Sequence, residues 1–470
     1  MKIRTRFSPS PTGKMHLGNA RAALFSALYA QQNQGVFILR MEDTDAVRSD
    51  LRFAEELQED LLWLGIKWQE GPGVDGAYGP YWQSQRQAIY ADYYKILQEK
   101  KLIYPCFCSD AELALMRKLQ LSRGQAPRYA GTCSHLTAEE IEKRLAQGAK
   151  PAWRFRIPNK QAIEFIDLVK GPQLFQSDDI GDFIIRRADG TAPFLFCNAI
   201  DDAMMQVSHV LRGEDHVANT PRQLLLLQAL NLPTPQYGHL SLIVGDDGAP
   251  LSKRHGSFSL HDLREAGFLP QAIVNYLSRL GHTYENQEWM DFSALATHFH
   301  LEKLSRSPAR FDQSQLLYWQ KTAVQLLDTE ALWHWLGDEV RRQAPEKLQT
   351  LFAETVRPNI TFPGEAVEWA AIFFHHALAF DQEKIAIFRE AGEQFFVEAE
   401  LAIQEHGVEF AEVLADMKET LGLSGKRLYM PLRVALTGKI HGPELVQIAQ
   451  LLGKEEMCKR LGVALKSIAA

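Results

Sequence analysis

The chain has 470 residues, too long for one hydrophobic core, so roughly two to four domains are expected. Its 46% hydrophobic and 23% charged residues are those of an ordinary water-soluble globular protein. No run of ~18 apolar residues implies a membrane span. The start MKIRTRF lacks the apolar stretch of a secretory signal, so a cytoplasmic location with no membrane partner is expected. The net charge of −7 neither points to nucleic acid nor excludes it, because a local basic face suffices to bind one. Five cysteines exclude a disulfide scaffold.

In chain order, residues 2–7 read as a strand, 18–32 as a helix and VFILRME, 36–42, as a buried strand. Helical periodicity follows over 51–64 and 85–99. Alternating strand and helix predict a parallel, doubly wound α/β sheet of Rossmann-like form, with ligands beyond the carboxyl ends of its strands. SPSPTGKMH and MEDTD both lie just past a predicted strand.

From residue 106 to 193 the pattern breaks into a cysteine cluster, a helix near 138–146 and strand-like AWRFRI and DFIIRR. This reads as an α+β insertion. Buried-strand and helix patterns resume with FLFCNAI, QVSHVLR and TPRQLLLLQAL, then YGHLSLIV and the loop GDDGAPLSKRHGS. Beyond about residue 260, apolar positions recur at three- and four-residue spacing, predicting helices. The expected division is 1–105 and 194–260 for the split α/β domain, 106–193 for the insertion, 261–327 for a helical connection and 328–470 for an all-helical domain.

Two polar stretches carry chemistry. In SPSPTGKMHLGNAR, Gly13 and Gly18 permit close backbone approach, and the helix opening near Leu17 offers free N–H groups to a phosphate. His16 stands at that end. In LSKRHGS, Ser252, Lys253 and Arg254 lie between glycines, where a lysine-bearing loop can close on a triphosphate. Either stretch alone also fits a plain surface turn.

Together they resemble the class I aminoacyl-tRNA synthetases, whose signatures are His-Ile-Gly-His and Lys-Met-Ser-Lys-Ser. Here the corresponding residues are His16-Leu17-Gly18-Asn19 and Pro250-Leu251-Ser252-Lys253-Arg254. The runs FILRMEDTD, GPYWQSQR, HVLRGEDHVANTPRQ and PLRVALTGKIHGPEL narrow the resemblance to bacterial glutamyl-tRNA synthetases, in order and over essentially the whole chain. The resemblance implies that Arg6, Ser10, Glu42, Phe194, Asn198 and Arg212 bind glutamate. It also implies that Gly13, His16, Gly18, Ser252, Lys253 and Arg254 face ATP, with one acid of the pair Glu214 and Asp215, and that His16 and Lys253 act in catalysis. The chemistry agrees: arginines can grip carboxylates in a bidentate way and a glutamate can hold an ammonium. Two departures stand out. Pro250 replaces the first motif lysine, and Phe194 replaces a tyrosine of relatives.

Cys106, Cys108 and Cys133 suit tetrahedral zinc, with His135 as fourth ligand. Tyr129 is the rival, since some relatives use a Tyr-x-x-x-Cys pairing. The resemblance further implies a structural Zn2+, Mg2+ with ATP, L-glutamate and tRNA(Glu) as substrates, an anticodon-binding helical domain, and a monomer. A non-discriminating enzyme that also charges tRNA(Gln) is one alternative. Another is a tRNA-binding paralogue that has lost catalysis, which Pro250 alone favours. A third is an adenylating enzyme that does not use tRNA.

Overall fold

Four consecutive buried residues, Arg4–Phe7, form β1. In this computed structural model, which describes residues 2–45, 49–74, 76–251, 259–375 and 378–469, β1 runs parallel to β2, Val36–Leu39, in the register Arg4↔Val36 to Phe7↔Leu39. Both strands are buried throughout, as in a parallel sheet with covered faces. The crossover is α1, Leu17–Gln32, which buries Leu17, Leu24, Phe25 and Leu28. At the return into β2, a Cβ on Gly35 would lie 2.4 Å from the Ile3 carbonyl oxygen, so only glycine lets the chain pass. Past the strands, the Arg40 N–H donates to Phe7 O at 3.0 Å and the Glu42 N–H to Pro9 O at 2.9 Å. These bonds hold the SPSP turn beside the MED run.

Two contact units divide the chain: Met1–Arg264 with Ile273–Gln313, and Glu265–Ala272 with Ser314–Ala470. In the first unit, α2 (Leu51–Trp63) and α3 (Gln87–Glu99) follow β2. The α+β segment then begins with β3 (Ile103–Cys106), α4 (Asp110–Ser122) and α5 (Ala138–Ala146). Each of these two helices opens on a capping box, Ser109 with Glu112 and Thr137 with Glu140, which ties down otherwise unpaired N–H groups. After β4 (Ala152–Phe155) come a hairpin of β5 (Ala162–Asp167) and β6 (Gly171–Gln176), a short α6 (Ser177–Ile180) and β7 (Phe183–Arg186). The antiparallel order is β3-β4-β7.

The parallel pattern resumes with α7 (Phe194–Met204), β8 (His209–Gly213), α8 (Thr220–Leu230) and β9 (Gln236–Leu240), with β8 and β9 paired in parallel. The stretch FLFCNAI is therefore helical. The Ser208 N–H donates to Arg4 O at 2.9 Å and the Arg4 N–H to Ser208 Oγ at 2.8 Å. The second strand pair thus lies beside β1, as a doubly wound α/β fold requires.

In the second unit the described residues hold helices and turns and no strand. The helix Glu393–His406 packs on Phe410–Leu421 and on Leu445–Ala469. Phe388 meets Phe396 edge to face at 5.3 Å within its core.

One buried acid ties three elements of the first unit together. Asp201, on α7, accepts from Arg86 Nε at 2.7 Å, Gln83 Nε2 at 2.9 Å and the Tyr90 hydroxyl at 2.8 Å. Arg86 and Asp201 are both essentially inaccessible to water. Removing one partner strands the other's charge in a low-dielectric interior. Asp201→Ala is therefore expected to lower the unfolding free energy of this unit by ~3–5 kcal/mol, read as a fall in urea midpoint followed by a spectroscopic probe.

Candidate active site

The carboxyl ends of β1, β2 and β8 bring charged side chains into one buried network. Arg40, fully enclosed, donates to Asp202 Oδ1 at 2.7 Å and to Glu42 Oε1 at 3.3 Å. Arg6 reaches the same Asp202 oxygen through Nε and the Leu211 carbonyl through Nη1, both at 3.4 Å. Glu42 Oε1 accepts from Asn198 Nδ2 at 2.6 Å, Asn198 Oδ1 from Gln223 Nε2 at 2.8 Å, and Gln223 Oε1 from Arg212 Nη2 at 2.8 Å. Arg6, Glu42, Asn198 and Arg212, singled out by sequence, therefore belong to one connected network.

Arg212 is unusual among these cations. Its guanidinium donates to Thr220 Oγ1 at 2.8 Å, to Gln223 and to His239 Nε2 at 3.1 Å, all neutral groups. Burial lowers the His239 pKa, so its ring is held neutral: Nδ1–H donates to Asp167 and Nε2 accepts from Arg212. Among the described residues no carboxylate pairs with Arg212, and its Nη1 is buried without a hydrogen-bond partner. Burial lowers its pKa to about 10, which still leaves it cationic at neutral pH. A buried, charged guanidinium without an anion is costly, and a carboxylate ligand would remove that cost. Burial also raises the Glu42 pKa, against the pull of Arg40 and Asn198. Asp202 is likewise opposed by burial, yet Arg6 and Arg40 hold its pKa below the ordinary value.

The nucleotide-side residues are more open. His16 caps α1, its Nδ1 accepting from the Asn19 N–H at 3.4 Å. A Cβ on Gly18 would sit 3.1 Å from the His16 ring, so this glycine makes room for the imidazole. At Gly13 an added Cβ would meet nothing within 4 Å. Ser10 is exposed on the turn, where its carbonyl accepts from the Thr12 N–H at 2.9 Å.

The acidic pair separates. Glu214 Oε1 accepts from the Leu242 N–H at 2.7 Å, and its other oxygen pairs with Lys170. Asp215 is mostly exposed, lies 3.6 Å from His216 Nε2, and is the acid whose charge acts on His16. Phe194 opens α7 and its ring tilts against His216 at 5.4 Å. Leu251 follows Pro250 and its N–H donates to Ile243 O at 2.9 Å. Ser252, Lys253 and Arg254 lie outside the described residues.

In the α+β segment the thiols of Cys106, Cys108 and Cys133 lie within 4.8 Å of one another. Beside the three sulfurs stands the Tyr129 hydroxyl, 3.5 Å from both Cys106 and Cys108 and accepting from the Cys133 N–H at 2.8 Å. His135 is exposed and its ring is not part of the cluster. The three thiols suit the borderline-soft, four-coordinate Zn2+, and the Tyr129 phenol, a harder oxygen donor, stands at the fourth position. Arg154 lies over the Tyr129 ring at 3.7 Å. Burial opposes ionisation of Cys106, but hydrogen bonds from Tyr129 and Arg154 bring its pKa below the ordinary thiol value.

The sequence reading assigned no role to Arg40, Asp202, Gln223, Asp167 and His239, which join the predicted residues into one network. Their signal was faint. Arg40 sits inside FILRMEDTD, and Gln223 ends HVLRGEDHVANTPRQ.

The catalytic domain of the tRNA synthetases class I (E and Q) matches residues 2–318, and an anticodon binding domain matches residues 326–465. The glutamate–tRNA ligase 2 of Coxiella burnetii is 53% identical over 98% of this chain and 99% of its own. That of Nitrosococcus oceani is 52% identical over 98% of this chain and 97% of its own. The crystal structure of a glutamate tRNA ligase from Elizabethkingia meningosepticum, in complex with its amino acid, matches with a TM-score of 0.90 at 28% identity, covering 100% of both chains. With this agreement running across both contact units, the chain belongs to the class I glutamate–tRNA ligases.

Proposed function

We infer that the protein activates L-glutamate with ATP and transfers it to the 3′ end of tRNA(Glu). The observation that carries the substrate reading is Arg212, a buried guanidinium with only neutral partners and one unpaired nitrogen. Arg6 takes part in binding the second carboxylate, Glu42 and Asn198 receive the ammonium, and Ser10 and Phe194 line the glutamate pocket. The α-carboxylate oxygen attacks the α-phosphorus of ATP and pyrophosphate leaves, giving glutamyl-adenylate. A terminal ribose hydroxyl of tRNA then attacks the acyl carbon and AMP leaves. No covalent protein intermediate is needed.

Catalysis is positioning plus stabilisation of phosphoryl charge. His16 at the start of α1 donates to a phosphoryl oxygen near Gly13 and Gly18. Lys253, with Ser252 and Arg254, neutralises the departing pyrophosphate, and Arg254 supplies the charge that Pro250 does not. Mg2+ accompanies the triphosphate. Of the acidic pair, Asp215 faces the nucleotide, because Glu214 is already committed to Lys170 and Leu242. Cys106, Cys108, Cys133 and Tyr129 would hold a structural Zn2+; with four protein ligands the site leaves no open position for a catalytic water. The insertion it braces, 106–193, guides the acceptor end. Residues 328–470 read the anticodon, and 261–327 contact the tRNA stem. The protein acts as a cytoplasmic monomer.

Charging of purified tRNA(Glu) and tRNA(Gln) with labelled glutamate tests the reading and tells a discriminating enzyme from a non-discriminating one. Arg212→Ala is expected to lower kcat/KM for glutamate by at least about 100-fold, the cost of removing a buried charge contact, with the KM for ATP little changed. No pyrophosphate exchange from the wild-type protein supplied with tRNA would sink the enzyme reading.

Asp215→Asn is expected to raise the KM for ATP about tenfold, as loss of one charge-assisted hydrogen bond does. Glu214→Gln should act mainly on thermal stability, and steady-state kinetics of the two variants separate these roles. For the thiol cluster, metal analysis of Cys133→Ser should show loss of about one zinc per chain together with a lower Tm, whereas His135→Ala should retain the metal.

A further inference from the structure

We propose that Tyr237 donates a hydrogen bond to the side-chain carboxylate of the amino acid, beside the charge of Arg212. This rests on the reading of the Arg212 pocket as the glutamate site. Tyr237 lies on β9, opposite Val210, and is 2% exposed. Its ring packs among Ile38, Met205 and Val210, with the Arg212 guanidinium 5.1 Å from the ring centroid. The hydroxyl is buried and has no hydrogen-bond partner among the described residues. Val210 pairs with Tyr237 and Arg212 with His239, so strand alternation puts Tyr237 on the same face of the sheet as Arg212.

A phenylalanine would fill the same apolar space without the desolvation cost of an unpaired hydroxyl, on the order of 1–3 kcal/mol. The oxygen therefore points to a ligand atom. Two buried donors stand unpaired on adjacent strands, Arg212 Nη1 on β8 and Tyr237 Oη on β9. A carboxylate only accepts hydrogen bonds, so it satisfies both. An amide is neutral and leaves the Arg212 charge unmet, and its NH2 group can donate to the Tyr237 oxygen. The choice of carboxylate over amide therefore falls to the charge of Arg212, while Tyr237 adds a hydrogen bond to the bound carboxylate. The reacting α-carboxylate has to meet phosphate at the exposed start of α1, which leaves the deeper pair of donors to the γ-carboxylate.

The test uses the full-length, zinc-loaded protein with tRNA, comparing wild type, Tyr237→Phe and Arg212→Ala in pyrophosphate exchange, with glutamine as competitor. Tyr237→Phe should raise the KM for glutamate about tenfold and leave the KM for ATP unchanged, while Arg212→Ala should weaken the preference for glutamate over glutamine. The Tm of the ligand-free variant should be unchanged or higher, because an unpaired hydroxyl has been removed, while the Tm gain on adding glutamate should shrink. An unchanged glutamate KM in Tyr237→Phe, with a raised one in Arg212→Ala, overturns the role of Tyr237 and leaves the pocket assignment standing. Unchanged values in both variants overturn the pocket assignment itself. A lower ligand-free Tm with both KM values altered shows a structural hydroxyl and overturns the proposal.

Discussion

Everything in the catalytic unit is arranged around keeping several ions in a place where ions are expensive. Arg40 is fully enclosed, and Asp202, Asp201 and Glu42 hold it protonated against the pull of burial. Its two hydrogen-bonded acids then become fixed points for others: Asp202 for Arg6, Glu42 for Asn198. The chain of hydrogen bonds ends at Arg212, whose partners are all neutral. Asp202 and Glu42 act on its charge only from a distance, which makes this end of the network the one best suited to an anion.

The two half-sites differ in how they are built. On the amino-acid side, side chains are buried and positioned by strands, so their geometry exists before substrate arrives. His16 and Asp215, proposed to face ATP, lie at the surface, on a helix start and a strand exit, and Ser10 of the glutamate set is likewise exposed on its turn. The strand-end hydrogen bonds from Arg40 to Phe7 and from Glu42 to Pro9 join these halves. They hold the SPSP turn against the run that carries Glu42.

Much of this was legible in the sequence, because strand–turn–helix order and motif residues are local in the chain. The α1 start at His16, the strands around Arg6 and Glu42, and the cysteine trio all fall where they were read. What was not legible involves distance. Asp167, in the β5–β6 hairpin, carries no signal in its own neighbourhood that it will orient a histidine on β9. Tyr237 reads as one more apolar position of a strand, since nothing local shows that its hydroxyl lacks a partner. The fourth ligand shows the same limit. His135 is close to Cys133 in sequence, yet the turn at Thr132–His135 carries it to the surface, while Tyr129 folds back onto the thiols.

The β5–β6 hairpin has an architectural consequence. In sequence it belongs to the segment that interrupts the α/β fold, which looks like a detachable module. Yet the end of β5 supplies Asp167 to His239, and the turn after it supplies Lys170 to Glu214. Excising the segment and rejoining the chain would remove the support that sets the tautomer of His239 and the direction of Arg212. The interruption is therefore part of the foundation of the catalytic centre, and a shortened, insertion-free chain would have to rebuild its anion site by other means.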